Sequence, residues 1–517
     1  MPLKVLLIDA ATDFSEVGLG VAHNMVHPPL GLMLLASYVR SCFSADTLSV
    51  VVCDAAIQCG NFAAVADLLA EHNPDLVGLR SLSSTYRQLH ELARLAKAHN
   101  PAILVVAGGP YAGDAPAQIL EDLNVDLVCP AEGEYVLREL IAALLDSPGS
   151  RDFRAVAGLY YRSQEAGCPP CRKTALRPQI ADLDAMPFPD YGDIDLDRYA
   201  SFHALTSIQR RYALLLTSRG CPYRCIYCHS LFGKNFRHRS PGNILAEIRS
   251  LYDRFGLRDF LIIDDIFNFQ LDHAKEVLAG ICSLPFKVRL FFPNGLRGDR
   301  LDEEFLDLLV EAGTVEVVYA IESASPRIQR MIKKKLDLEK VEAAIEATRE
   351  RGLIVNGFFM IGFPSETPGE LSATVAMILR LIDSIHFPYI GIVRAYPGSA
   401  MYRLAGSLGY SEEFLRRHVR VPLGTQECIR AECNFLPTAL LQEARTRVAL
   451  AFKDFARTSA MLAVQRKYFT DEELVMKYAT FFGSTPRVAR LFLKPFGLGR
   501  TGQVGAAQGN IDPSLAR

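Results

Sequence analysis

Two series of alternating strand-like and helix-like stretches, a proline-rich gap between them and an all-helical end predict an α/β protein of several units. The expected order begins with a doubly wound, Rossmann-like domain over 1–145 and a linker over 146–205. A partial (β/α)6 TIM-type barrel over 206–410, a helical region over 411–500 and a disordered tail over 501–517 follow. In the first series "KVLLID", "LSVVVCD", "DLVGLRS", "AILVVAGG" and "VDLVCPAEG" are apolar on both faces and end in turn-formers. Helical patterns such as "PPLGLMLLASYVRSCF" and "FAAVADLLAEH" lie between them. Such strands build a parallel sheet covered on both sides, with ligands beyond the carboxyl ends. Those ends carry Asp54, the polar run Ser81, Ser83, Ser84 and Thr85, then Gly108-Gly109-Pro110, then Glu132-Gly133-Glu134.

The gap, with "GCPPCRKTALRPQIADLDAMPFPDYGDIDLDRY", keeps no period and reads as extended chain. The second series has strand candidates at 212–218, 259–265, 287–292, 314–320, 353–360 and 385–394. Six βα units suit a barrel or partial barrel, with chemistry at the strand carboxyl ends.

Composition excludes several classes. Of 517 residues half are hydrophobic, enough for two or three cores. A formal charge of −2 offers no field for nucleic acid. No apolar run approaches the roughly 20 residues that span a bilayer. "MPLKVLLIDAATD" lacks the pattern of a signal peptide and reads as a first strand. Twelve cysteines, mostly isolated, do not look like a disulfide framework, so a reduced, cytoplasmic protein is expected.

The exception is "GCPYRCIYCHS" (220–230), which crowds Cys221, Cys225 and Cys228. Buried thiols at a strand end are one reading. A structural zinc site is another, but zinc wants four ligands, and His229 adjoins Cys228 too closely to complete a tetrahedron. An iron–sulfur cluster is the third. Three thiolates on a four-iron cluster leave one iron open for a substrate or cofactor, and the triplet lies at the functional end of the barrel. Spacing and location agree on the cluster.

CxxxCxxC with Tyr227 before the last cysteine resembles the signature of radical S-adenosylmethionine enzymes. The resemblance implies that the open iron chelates S-adenosylmethionine and that its reductive cleavage yields a 5′-deoxyadenosyl radical. It extends through "FLIIDDIFNF" with Asp264, Asp265 and Phe267, and "NGLR" with Asn294 and Arg297. It continues in "AIESAS" with Glu322, Ser323 and Ser325, and "GFFMIGFPSET" with Gly357, Gly362, Pro364 and Glu366. By resemblance these strand ends hold the methionyl, ribose and adenine parts. Other roles are open: Asp264 as a helix cap, Asp265 as a solvated turn residue, Glu322 as a partner of Arg297. Ala320 and Ala324 depart from the family's "GIESGS", which weakens the expected ribose contact there.

A doubly wound domain ahead of such a barrel resembles the cobalamin-binding arrangement of one subgroup. "HPPLGLMLLASYV", "VVVCDA", "PDLVGLRSLSSTY", "VVAGGPYA" and "AEGEY" carry the match. It implies cobalamin contacts at Asp54, Ser81, Ser83, Gly108, Gly109, Glu132 and Gly133. Where many cobalamin domains have DxHxxG this chain reads "DAAIQCG", with Ala56 in the histidine's place, so base-off cobalamin without a histidine ligand is expected. A nucleotide or flavin would also suit such strand ends, and a domain kept for packing is the plain alternative.

Weaker signals complete the reading. Cys168 and Cys171 read as an incidental pair, His23 and His27 as loop histidines, and Lys333, Lys334 and Lys335 as an exposed helix end. "PRVARLFLKPFGLGR" (486–500) is basic and amphipathic, suited to packing on the barrel or to a membrane surface. The expected function is methylation of an unactivated carbon of a small-molecule or lipid substrate. The expected cofactors are a [4Fe-4S] cluster, S-adenosylmethionine and cobalamin, with an electron donor such as flavodoxin or ferredoxin. A cobalamin-dependent cyclase or oxidase without net methylation is the alternative enzyme. A non-catalytic cobalamin- or redox-sensing protein is the alternative of another class.

Overall fold

The computed structural model describes residues 2–10, 14, 26–163, 171–200, 210–228, 231–419, 433–482 and 486–498. His23, Cys168, His229, Arg500 and the expected tail lie outside the described residues.

The first sheet contains β1 (Leu3–Asp9), β2 (Leu48–Asp54), β3 (Leu76–Arg80), β4 (Leu104–Gly108) and β5 (Leu127–Val128), in the order β2-β1-β3-β4-β5 and all parallel. Alternate residues enter opposite layers. Val5, Leu7, Val50 and Val52 pack under α1 (Leu30–Cys42). Leu6, Ile8, Val77 and Leu79 face α2 (Phe62–His72) and α3 (Tyr86–His99). The chain order reverses between β1 and β3, the place where ligands bind in open sheets. After α4 (Glu134–Asp146), β6 (Tyr160–Arg162) and β7 (Cys171–Lys173) extend this sheet with antiparallel pairing. The stretch expected to be a linker therefore contributes two strands; each is three residues long, too short for period-two patterning to show.

The second sheet is the expected partial barrel: β8 (Tyr212–Leu215), β11 (Asp259–Ile262), β12 (Arg289–Leu296), β13 (Thr314–Glu322), β14 (Ile354–Ile361) and β15 (Phe387–Ile392), parallel and in sequential order. Between β8 and β11 a small antiparallel pair, β9 (Ser218–Arg219) and β10 (Arg237–His238), brackets the cysteine loop. Helix α5 (Pro241–Phe255) shows why these segments start and stop where they do. The Ser240 hydroxyl accepts from the Asn243 amide, proline takes the first position, and Gly256 (φ 69°) ends the helix. Outside the barrel run α6 (Leu271–Cys282), α7 (Glu303–Glu311), α8 (Leu338–Glu350) and α9 (Pro368–Arg380).

The other face of the barrel is filled by the helical end of the chain. Tyr212, Leu214, Leu261, Phe291, Val315, Ile354 and Phe387 meet side chains of α10 (Thr438–Phe452), α11 (Phe455–Gln465) and α12 (Asp471–Phe482). Within this apolar plug Lys477, fully buried, donates to Glu316 on β13, whose other oxygen accepts from Asn356 Nδ2 at 2.6 Å. α13 (Pro486–Leu493) covers α12 through Ala489 and Leu493, and Arg490 pairs with Glu472. Val488 and Leu491 stay exposed. Among the described residues no helix is long and apolar enough to cross a membrane.

Replacing Lys477 by methionine strands the Glu316 carboxylate in the plug. It is expected to cost about 3 kcal/mol in a denaturant titration, whereas pairing it with Glu316→Leu recovers much of that loss.

Candidate active site between the two sheets

The carboxyl ends of both sheets face one cavity of about 500 Å³. The front domain contributes Asp9, Asp54, Arg80, Gly108, Gly109, Glu132 and Gly133. The barrel side contributes Leu214, Leu216, Arg219, Ile263, Asp265 and Asn294. Between α1 and α4 the lining is a slot of Leu30, Leu35, Val136, Leu137 and Leu140. Gly31 opens it further, because a Cβ there would meet no atom within 4 Å. Gly109 holds φ 83°, and a Cβ on it would press to 2.8 Å of Arg80 Cγ, so that turn admits only glycine.

Most polar groups of this wall are engaged. Arg80 donates to both oxygens of Asp9, at 3.1 and 2.9 Å. Asp54 accepts from Tyr199 Oη at 2.7 Å and from the amides of Ala56 and Ile57. Burial, with the Asp9 charge adding to it, raises Asp54 to about 7. Glu132 accepts from Arg219 (2.8 Å), Arg237 (3.0 Å) and the Ile180 amide (3.0 Å), and Glu134 from Arg219 at 2.6 Å. Ser83 donates to Asp114 instead of facing the cavity, and the fully buried Ser81 hydroxyl has no partner. The sequence expected cofactor contacts from Glu132 and Ser83; their side chains stitch protein to protein.

The cysteine loop leaves β9 through Gly220 (φ 88°), where any side chain would strike the Asn235 carbonyl. The amide of Cys228 donates to Cys225 O at 3.3 Å, and Lys234 Nζ to Tyr223 O at 2.9 Å. Burial raises the thiol of Cys221, with the Asp265 charge adding to the shift, while Cys228 is exposed. Among the described residues no three His, Cys, Asp or Glu side chains stand close enough to form a metal-ligand group. The three thiols share one neighbourhood without being drawn together. Cys225 and Cys228 border a second cavity of about 410 Å³, ringed by Arg224, Lys234, Lys333 and Arg403.

The strand-end motifs divide into holders and braces. Tyr227 Oη donates to Glu322 Oε1 at 3.0 Å, and Lys334 Nζ to the same oxygen at 2.6 Å. Glu322 has φ 71°, an uncommon conformation for a glutamate, fixed by this pair at the end of β13. Asp264 departs from expectation: it is 2% exposed, accepts from the Thr217 amide and from Thr217 and Ser218 hydroxyls, and so braces the strand leading to the cysteines. Burial raises it to about 6. Arg297 lies 4.0 Å over the Tyr223 ring and donates to Lys334 O and Asp299, not to Glu322. Ser323 is buried against Thr374, and Gly362 (φ 80°) donates to Glu366 at 2.6 Å, closing its turn. Asp265 and Asn294 do face the large cavity.

The comparisons with known proteins agree with this arrangement. Residues 17–141 match the B12 binding domain family, and 215–378 the radical SAM superfamily. The chain is 30% identical over 406 residues to an uncharacterised methyltransferase of Pyrococcus horikoshii, covering 78% of this chain and 83% of that one. The chain belongs to the cobalamin-dependent radical S-adenosylmethionine enzymes.

Cytidylyl-2-hydroxyethylphosphonate methyltransferase of Streptomyces wedmorensis is 30% identical over 58% of this chain and 60% of its own. The radical S-adenosylmethionine methyltransferase TsrM of Kitasatospora setae, solved with cobalamin and a [4Fe-4S] cluster, shares the fold. Its TM-score is 0.60 at 20% identity, over 78% of this chain and 74% of that one.

The residues present fit the groups this family uses. The slot is apolar and open at Gly31, the loop supplies three thiols, and a carboxylate–ammonium pair stands at Tyr227. Two of its groups carried little sequence signal. Lys334, read as exposed, is turned inward because Lys333 and Lys335 both adopt left-handed backbone, φ 58° and 53°. Arg219 carries no sequence signal, since one arginine beside a cysteine motif forms no pattern of its own.

Gly31→Phe fills the slot; cobalamin binding followed by absorbance is expected to fall at least tenfold while the melting temperature stays within a few degrees. Asp54 gives a second check. Its folded pKa lies above the ordinary carboxylate value, so its stability contribution is full in acid and lost as pH rises through about 7. Stability measured from about pH 6 to about pH 8 is expected to fall, and less steeply in Asp54→Asn, where Asp259 and Glu366, also near 7, still titrate.

Proposed function

We propose that this enzyme methylates an unactivated carbon of a small-molecule or lipid substrate, using a [4Fe-4S] cluster, S-adenosylmethionine and base-off cobalamin. One observation carries the reading. Pro110 and Leu231 line both the cavity shared by the two sheets and the cavity bordered by Cys225 and Cys228, so the space at the cobalamin domain adjoins the one that bears the thiols. When bound, the cluster and cofactors supply the electron, the radical and the methyl group that side chains lack.

This chain's residues hold, orient and exclude. Cys221, Cys225 and Cys228 hold the cluster. Glu322 offers a carboxylate to the ammonium of S-adenosylmethionine and Lys334 an ammonium to its carboxylate, with Tyr227 fixing both. Asp265 and Asn294 line the passage between the two cofactors, and Asn294 is steadied by the carbonyls of Ile263 and Asp264. Gly108 and Gly109 would let backbone approach the corrin, while the leucine and valine slot would take the benzimidazole ring and keep water out. The exposed cations Arg224, Lys333 and Arg403 beside the cysteines suit an acidic redox partner of the flavodoxin or ferredoxin kind.

The test uses anaerobic protein reconstituted with iron, sulfide and cobalamin, given reductant and candidate substrates. A product heavier by one CH2 is expected, with 5′-deoxyadenosine formation lost in Cys225→Ser. An unchanged product mass alongside 5′-deoxyadenosine places the chain with enzymes that use cobalamin without net methylation.

A further inference from the structure

Two sulfurs behind the cavity wall have no part in the proposed reaction. Cys53 lies near the end of β2, and Cys59 follows it across one π-helical turn, Ala55–Cys59. The turn is one residue wider than an α-turn: the Gly60 amide donates to Ala55 O, and Gly60 (φ 72°) then turns the chain away. Wide turns of this kind recur at functional sites. The extra residue swings Cys59 back toward the strand, where its Sγ lies 3.8 Å from that of Cys53.

The pair is not a metal site, because among the described residues no third ligand joins it. Nor are its two members alike. Cys53 is 1% exposed, whereas Cys59 is only half-buried and open to a small solute. The hydrogen bond from the Cys53 thiol holds Cys59 below the ordinary thiol value, and the Arg198 charge helps it against burial and Asp54. The same hydrogen bond and burial push Cys53 up. One sulfur is thereby favoured as a thiolate within reach of solvent, with a protonated partner directly behind it. An attacking and a resolving cysteine are arranged in this way.

We propose that Cys53 and Cys59 form a reversible dithiol–disulfide pair, oxidised by hydrogen peroxide and restored by a reducing dithiol. Cys59, having shed its proton, attacks one peroxide oxygen. The O–O bond breaks, Cys59 becomes a sulfenic acid, and the other oxygen leaves as hydroxide and takes up the shed proton. The Cys53 sulfur then attacks the Cys59 sulfur, the S–S bond forms, and the sulfenic oxygen leaves as water with the Cys53 proton. Two thiols lose two electrons and two protons, and one peroxide becomes two waters. A dithiol reverses the step by exchange.

The bond has a consequence for the cavity. Its formation brings the sulfurs from 3.8 Å to about 2 Å, and since Cys53 is fixed in a strand, the turn moves. That turn carries the Ala56 and Ile57 amides that hold the Asp54 carboxylate, and Gln58, whose Oε1 accepts from the Asp54 amide at 2.6 Å. Asp54 lines the large cavity, so oxidation reshapes that wall and weakens cobalamin binding. This consequence rests on the cavity being the cobalamin site; the disulfide itself does not.

The test exposes the full chain to graded hydrogen peroxide, blocks remaining thiols with N-ethylmaleimide and cleaves before aspartates. Asp46, Asp54 and Asp67 then put Cys53 and Cys59 on separate fragments, 46–53 and 54–66, apart from Cys42. The expected result is that these two fragments are joined, lighter by two hydrogens than their sum and released by dithiothreitol. The link forms about tenfold faster than the exposed Cys42 is oxidised in the same molecule. In Cys53→Ala the reaction stops one step earlier, and dimedone labels Cys59 as a sulfenic acid. Hydroxocobalamin titrated by absorbance is expected to bind the oxidised chain about fivefold more weakly, with the loss reversed by dithiothreitol and absent from Cys59→Ser. Fragments that stay unlinked while Cys42 is oxidised, a Cys59 joined to another cysteine, or no dimedone label in Cys53→Ala overturns the proposal. Equal affinity of the oxidised and reduced chains overturns the reshaping of the wall. A reduced chain that binds no hydroxocobalamin fails the cavity as the cobalamin site, and the fragment masses report the disulfide separately.

Discussion

A buried guanidinium, that of Arg219, ties the two sheets together. It is about 4% exposed, stands two residues before Cys221, and reaches across to Glu132 and Glu134 of the front domain. Arg237 closes the ring onto Glu132, Ile180 O and Phe232 O. Buried charge at this density is tolerated when each ion meets a counter-ion, so the relative placement of the two sheets is fixed by the pairing of Arg219 and Arg237 with Glu132 and Glu134. That placement fixes the cavity: its front wall and its cysteine-loop wall are set by the same four side chains.

The rest of the site is arranged around this joint. Asp264 braces the strand that carries Arg219, and Lys234 pins the loop that follows. Glu322 is held in a left-handed backbone by Tyr227 and Lys334, as strained residues at functional sites are. At the far end of the barrel Lys477 and Glu316 do the corresponding work for the helical plug. The charged groups that hold the frame are thereby kept apart from the polar side chains that line the cavity, among them Asp265, Asn294 and His27.

Much of the frame was legible in the sequence because apolar strands and turn-formers impose their own period. The doubly wound parallel front sheet and the six strands of the barrel followed from it, while thiol spacing marked the cysteine loop. The two short strands β6 and β7 were not legible, since three residues carry no period. Within the site, motifs located strand ends but could not say which way a side chain turns. Asp264, Ser83 and Glu132 proved to be internal partners, while Lys334 and His27 turned inward from stretches that read as surface. Direction depends on backbone φ and on partners distant in sequence, such as Tyr199 for Asp54, and local pattern holds neither.

The account's central claim is that cobalamin lies between the two sheets and touches both. Hydrogen exchange on the full chain, with and without cobalamin, tests it most directly. The account predicts slowed exchange in the first turn of α1, in the turns after β3 and β4, and on the barrel side from Leu214 to Arg219. Protection confined to the front domain, or absent from both sides, would contradict it.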